Sequence, residues 1–194
     1  MMKRLLLAAT ISTLLLCGAV SVSAAVYTYQ PSPADMEDLH HYTAYTWGIE
    51  WQYTEQITHA ELTLKNIWDW QVEKDSLWIH MLDLDREDIG FNKYIDNYWG
   101  DYFEGQGTLI GVWSDPVGGG PGVNLTFTFD QEMLDHLNRQ AATGVLGFGF
   151  DPDCHYFNDG IELTVSTTPI PEPTTMILFG LGALGIGLHR RMKK

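Results

Sequence analysis

The stretch Ile57-Thr58-His59-Ala60-Glu61-Leu62-Thr63-Leu64-Lys65-Asn66-Ile67 sets the fold class of this chain. Ile57, His59, Glu61, Thr63 and Lys65 occupy one parity, and Thr58, Ala60, Leu62 and Leu64 the other. Successive side chains of an extended segment point to opposite faces, so this pattern predicts a strand with one buried face. Working outward, Leu77 to Leu84 alternates in the same way, with Leu77, Ile79 and Met81 opposing Trp78, His80 and Leu82. Tyr42 to Tyr53 is rich in aromatics and threonine and also reads as strand. Val26 to Tyr29 is a short strand broken by Pro31-Ser32-Pro33, and Ala34 to His40 reads as a single helical turn. Arg86 to Phe103 is polar and reads as a long irregular connection. Thr108 to Trp113 and Val123 to Phe129 are strands flanking the turn-forming run Asp115-Pro116-Val117-Gly118-Gly119-Gly120-Pro121-Gly122. Val145 to Phe150 and Ile161 to Ser166 close the set.

The period changes once. Asp130 is placed to cap a helix running from Gln131 to about Ala141, with Met133, Leu134 and Leu137 on one face and Gly144 beyond its end. Seven or eight strands and one short helix predict a mainly β domain over residues 26–168, an antiparallel β-sandwich of jelly-roll type. That length suits one domain. With the leader removed, Cys154 is the remaining cysteine, so an internal disulfide is ruled out and the core, or a metal, must hold the fold. Seven tryptophans between Trp47 and Trp113 supply bulk for that core.

Both flanks read as targeting segments. Lys3-Arg4, the apolar run Leu5 to Val20, and Val22-Ser23-Ala24 or Ser23-Ala24-Ala25 have the order of a secretory signal peptide over residues 1–25. Leu16 before Cys17 does not fit a lipoprotein signal. At the other end, Pro169, Pro171 and Pro173 keep the chain extended, and Met176 to Leu188 carries no charge. Thirteen helical residues span roughly 20 Å, short of the roughly 30 Å hydrocarbon core. Thr174, Thr175 and snorkelling Arg and Lys side chains extend the span, which predicts a transmembrane helix over about residues 174–188. The basic end, His189-Arg190-Arg191-Met192-Lys193-Lys194, places the C-terminus in the cytoplasm before processing.

Pro171-Glu172-Pro173, the helix glycines Gly180, Gly182, Gly185 and Gly187, and Arg190-Arg191-Met192-Lys193-Lys194 together resemble a PEP-CTERM sorting signal. Ile170 stands where valine is more usual. The resemblance implies Pro171, Glu172 and Pro173 as the sorting motif and an exosortase, a membrane-embedded transpeptidase-like enzyme, as partner. It further implies delivery to a bacterial envelope, cell surface or exopolysaccharide matrix.

Charge narrows the function classes. Of 25 acidic residues 24 lie in residues 26–170, with five of the 11 basic ones, a net charge of −19. Such a domain repels nucleic acid, which excludes a nucleic-acid role, and repels anionic polysaccharide unless cations intervene. The loop Phe148-Gly149-Phe150-Asp151-Pro152-Asp153-Cys154-His155-Tyr156-Phe157-Asn158-Asp159-Gly160-Ile161 resembles one in exported β-sandwich proteins with this tail; the resemblance implies a related fold and does not establish an activity. Asp151, Asp153, Asn158 and Asp159 are hard oxygen donors suited to calcium, although their spacing is not that of an EF-hand. The same residues are turn formers that accept backbone N–H bonds, and both readings stand.

Sharper chemistry finds little support. A zinc site needs about four ligands; Cys154-His155 offers one thiol, and the other histidines, His40-His41 among them, lie far off in sequence. Adjacent side chains on an extended chain diverge, which argues against a Cys–His nucleophile pair. Gly111-Val112-Trp113-Ser114-Asp115 lacks the nucleophile-elbow frame. Asp83 and Asp85 share a strand parity as a glycosidase pair does, but among 24 acidic residues that coincidence decides nothing. Trp68 with Trp70, or Trp47 with Trp51, form either core or a sugar-stacking face. The leading expectation is therefore a non-enzymatic, structural or adhesive exported protein. The alternatives are a carbohydrate-binding module, which requires exposed tryptophans, and a glycan hydrolase, which requires a cleft with two carboxyl groups about 5–10 Å apart.

Overall fold

The computed structural model describes residues 24–97 and 99–170. The strands are β1 (Ala25–Tyr29), β2 (Thr43–Glu50), β3 (Gln56–Asp69), β4 (Leu77–Met81), β5 (Gly90–Ile95), β6 (Thr108–Trp113), β7 (Val123–Thr128), β8 (Val145–Pro152), β9 (Tyr156–Phe157) and β10 (Gly160–Thr168). One helix, α1 (Gln131–Thr143), follows β7, and a 3₁₀ turn spans Arg86–Asp88. The protein is mainly β, with two antiparallel sheets. The first has the order β1-β10-β3-β7, with β9 added to the far end of β3; the second runs β5-β2-β8-β4-β6. Pairing is nested: β1 with β10, β2 with β8, β3 with β7, β4 with β6.

One apolar cluster draws on both sheets, giving a sandwich-like arrangement. Leu62, Leu64, Leu163 and Val165 come from the first sheet, and Trp47, Ile79, Phe148 and Phe150 from the second. All eight residues of β8 are buried, as befits a strand with a neighbour on each edge and a packed face. Strand β3 keeps the expected parity through Ala60, Leu62 and Leu64, then changes it. The register with β7 shifts between Leu64 and Ile67, where Asn66 takes a left-handed φ of 46°. This bulge turns the opposite parity inward, so Ile67 and Asp69 are buried. Asn124 Oδ1 accepts from the Asn66 amide, and Asn66 Nδ2 donates to Asp159 Oδ2 at 3.0 Å, which together hold the bulge.

Several expectations are corrected by the structure. Ala34 to His40 forms no helix: Met36, Glu37 and Asp38 all have positive φ, and Leu39 bridges to Tyr156 through two backbone bonds. Burial of Met36 and Leu39 against the core outweighs the local helical tendency. Leu77–Leu84 is strand only to Met81, because Leu82 N turns to donate to Gly147 O. The connection Arg86 to Phe103 contains β5, an edge strand with no fully buried residue and hence no alternation to read. Residues 1–23 of the expected leader and the expected helix over 174–188 lie outside the described residues, whereas Ala25, placed at the end of that leader, opens β1 and pairs with Thr167. Among the described residues no helix is long and apolar enough to cross a membrane.

Helix α1 begins where Asp130 accepts from Met133 N at 2.9 Å and ends where Gly144, at φ 93°, donates to Gln140 O and Ala141 O. Asp130→Ala removes that cap. The expected cost is about 1 kcal/mol in urea unfolding, with the slope unchanged.

Candidate functional site

Four segments meet beyond the Asn66 bulge. They are the β3–β4 connection, the loop after β5, the β8–β9 turn, and His41-Tyr42. Between them lies a cleft of about 440 Å³. Its aromatic lining is unusually open to solvent: Trp70 is 62% exposed, Trp99 74% and Tyr42 57%. Gln71, Glu73, Asp96 and Asp153 add polar groups to the same lining. The expected tryptophan pairs therefore separate. Trp47 and Trp51 are core residues. Trp68 is half-buried and stacks on Phe157 at 4.4 Å, and Phe157 stacks on His155 at 4.2 Å. Trp70, one residue past the end of β3, is left facing solvent.

Beneath the cleft lies a second cluster that sequence reasoning missed. Asp69, Glu73, Asp75 and Cys154 each bring one potential ligand atom within 4.8 Å of the others. Strand pairing builds it: Asp69 opposes Tyr156 in the β3–β9 ladder, which draws the β8–β9 turn, and with it Cys154, over the end of β3. Cys154 Sγ lies 3.0 Å from Glu73 Oε1 and 3.7 Å from Asp69 Oδ1. Asp69 is further held by Asp115 Oδ2, which accepts from the Asp69 amide at 2.9 Å. The Ser114 hydroxyl donates to Asp75 O. Gly118 makes this clamp feasible: at φ 67°, a Cβ there would sit 2.6 Å from Val72 N.

The polar accounting of this cluster is unusual. Asp75 is 5% exposed and neither carboxylate oxygen has a hydrogen-bond partner; Asp69 is fully buried and its Oδ2 is likewise unpaired. The Tyr156 hydroxyl faces the same carboxylates outside good hydrogen-bond geometry, and His155 Nε2 at the cleft wall likewise makes no hydrogen bond, with Asp38 Oδ2 3.8 Å away. Five of the eight such atoms among the described residues gather here. Buried polar groups are normally satisfied, and an unpaired buried charge costs several kcal/mol. Burial, then the neighbouring Asp75, pushes the Asp69 carboxyl up to about 6. Burial, then Glu73, pushes the Cys154 thiol up to about 12. The bond from Cys154, then one from Gln71, holds the Glu73 carboxyl below its ordinary range. Burial, then His40, lowers His155.

Of the four residues expected for calcium, Asp151 and Asp153 lie near one another and both reach the loop after β5, while Asn158 and Asp159 hold other segments. Asp151 Oδ2 accepts from Tyr102 N at 2.7 Å, and Asp153 Oδ1 from Gly100 N at 3.1 Å. Asn158 Oδ1 accepts from Gly160 N and its Nδ2 donates to Asp35 O; Asp159 meets Asn66. Each is engaged in holding a loop. Cys154 and His155 diverge, the thiol toward Glu73 and the imidazole toward His40, whose ring centre is 4.1 Å away. Asp83 and Asp85 are not a strand pair: Asp83 Oδ1 meets His136 Nε2 at 2.8 Å, and Asp85 caps the 3₁₀ turn.

A family model for the PEP-CTERM protein-sorting motif matches residues 169–191. The chain carries a PEP-CTERM sorting motif. That motif implies export, handling by an exosortase-type sorting system, and delivery to the cell surface or envelope. Pro171, Glu172 and Pro173 lie within it and outside the described residues. The PEP-CTERM segment begins at Pro169, directly after β10 ends at Thr168. No curated protein matches the chain.

Asp151 yields a pH prediction. Burial, with Asp96, Asp153 and Asp101 nearby, lifts its carboxyl from 3.8 to about 7 despite the bond from Tyr102 N. The folded state then retains a proton that the unfolded state loses, so this group makes stability fall as pH rises between those two values. Asp151→Asn keeps an acceptor for Tyr102 N and carries no charge. The fall in Tm between about pH 5 and about pH 8 should become smaller in this variant. Asp69, shifted the same way, leaves a residual slope.

Proposed function

We propose that the chain is a non-enzymatic adhesive domain of the cell surface or its exopolysaccharide matrix, binding a neutral or amino-bearing polysaccharide in the cleft. Its scaffold is a jelly-roll-like sandwich, a reading supported by the nested pairing of first with last strands. The C-terminal transmembrane helix holds it at the membrane until an exosortase acts at Pro171-Glu172-Pro173. The observation that carries the binding reading is the exposure of Trp70, Trp99 and Tyr42 around one cleft. Aromatic faces stack on the apolar faces of sugar rings, and Gln71 and the carboxylates answer ring hydroxyls. Glu73, Asp96 and Asp153 disfavour anionic glycans.

Affinity electrophoresis through gels containing a neutral β-glucan, chitosan or alginate tests this. The full-length protein in detergent should be retarded by one of the first two and not by alginate. Trp70→Ala and Trp99→Ala should each weaken retention by roughly tenfold, the order of an interfacial aromatic anchor. Equal retention of the double variant, or no retardation by any polysaccharide, refutes the reading. Release of reducing ends would favour the hydrolase alternative.

Sorting is tested separately. Replacing Pro171, Glu172 and Pro173 with alanine should abolish surface delivery in an exosortase-bearing host while leaving Tm unchanged. Normal display of that variant contradicts the assignment.

A further inference from the structure

We propose that Asp69, Glu73, Asp75 and Cys154 bind one borderline divalent cation of the zinc class, through three carboxylates and one thiolate, on the floor of the cleft. The proposal goes beyond the glycan reading and stands without it. Four potential ligand atoms lie within 4.8 Å of one another, and a tetrahedral cation with bonds of about 2.0–2.3 Å would draw them to roughly 3.3–3.8 Å, a contraction that side-chain rotation supplies. The acidic cluster alone would be unremarkable, since carboxylates are abundant in this chain. What distinguishes it is Asp75: nine-tenths buried, gathered into the cluster, and with both oxygens lacking a hydrogen-bond partner. Asp69 Oδ2, at the end of β3, repeats the observation. A dication would give these oxygens a full partner where only one another and the Tyr156 hydroxyl lie nearby, and would offset the repulsion among the carboxylates.

The donor set selects the metal. Calcium and magnesium take oxygen ligands and gain nothing from a thiolate, whereas zinc accepts both Cys sulfur and carboxylate oxygen. Glu73 is exposed and lines the cleft, which provides an entry path. Binding is balanced by proton release. The Cys154 S–H bond breaks, its electron pair becomes the sulfur–metal bond, and the proton passes to water by way of Glu73 Oε1, which already accepts the S–H at 3.0 Å. Nothing is oxidised or reduced.

The test uses the full-length protein in detergent, reduced and stripped with EDTA, then titrated with Co²⁺ alone. A single equivalent should produce a thiolate-to-cobalt charge-transfer band in the near ultraviolet. Zn²⁺ should abolish the band, excess Ca²⁺ should leave it, and Zn²⁺ should raise Tm. Cys154→Ser should remove the band. Asp75→Asn should weaken cobalt binding by roughly tenfold or more and raise Tm in EDTA, because it deletes an unpaired buried charge. Glu73→Gln, at an exposed position, repeats the affinity test without touching the core. Absence of a saturable band, displacement by Ca²⁺, or unchanged cobalt affinity in both Asp75→Asn and Glu73→Gln overturns the proposal. Glycan retention measured with and without Zn²⁺ distinguishes its failure from failure of the cleft.

Discussion

The bulge at Asn66 is the constraint on which the rest of the site depends. A strand with unbroken alternation would send Asp69 to the face opposite Leu64. By inserting one left-handed residue, β3 carries Leu62 and Leu64 into the core and then delivers Ile67 and Asp69 to the same side. The bulge is held from two neighbours, Asn124 of β7 and Asp159 ahead of β10. A side-chain amide and a carboxylate thereby replace ladder bonds that the irregularity disrupts. The Asn-Asp-Gly turn before β10 thus serves to hold the bulge as well as to reverse the chain.

Burial of carboxylates is the second theme, and it divides into two cases. Asp151 and Asp115 are buried but answered by backbone N–H groups, so each ties one loop to a strand end. Asp75 is buried and unanswered. The first case is ordinary loop architecture in a domain rich in acid. The second concentrates cost at one place, beneath a cleft whose rim is built from exposed indoles. Rigid β8 and β4 support both: Asp153 N donates to Ser76 O, which ties the β8–β9 turn to the start of β4. The rim and the floor are consequently positioned by the same few backbone contacts.

Most of the scaffold was legible in the residues because one face of most strands is buried and period two survives. Asp130 and Gly144 marked the helix for equally local reasons. Strand β5 escaped because Lys93, Tyr94 and Ile95 are exposed on an edge, and β9 because two residues carry no period. The site was legible only in part. Cys154 and the aromatic run around Trp70 stand out in the sequence. Three carboxylates at positions 69, 73 and 75 were a usable signal, but the ligands from β3 and from the β8–β9 turn are about 80 residues apart. The β3–β9 ladder, with the bond from Asp153 N to Ser76 O, joins them. The bulge that aims Asp69 inward leaves no mark stronger than an asparagine at position 66.

The direction of β10 has a mechanical consequence. Gly160 pairs with Lys65 at the end of β10 nearer the cleft, and Thr168 pairs with Gln56 at the other end beyond a register shift between Ser166 and Thr167, so the tail departs roughly 26 Å further along the strand. If the tail anchors the domain, as proposed, the cleft lies at the end of β10 away from the anchor. On the proposed adhesive reading, a load applied at the cleft would run lengthwise down β10 between β1 and β3. Its backbone bonds to both neighbours are then sheared together instead of being peeled open one at a time.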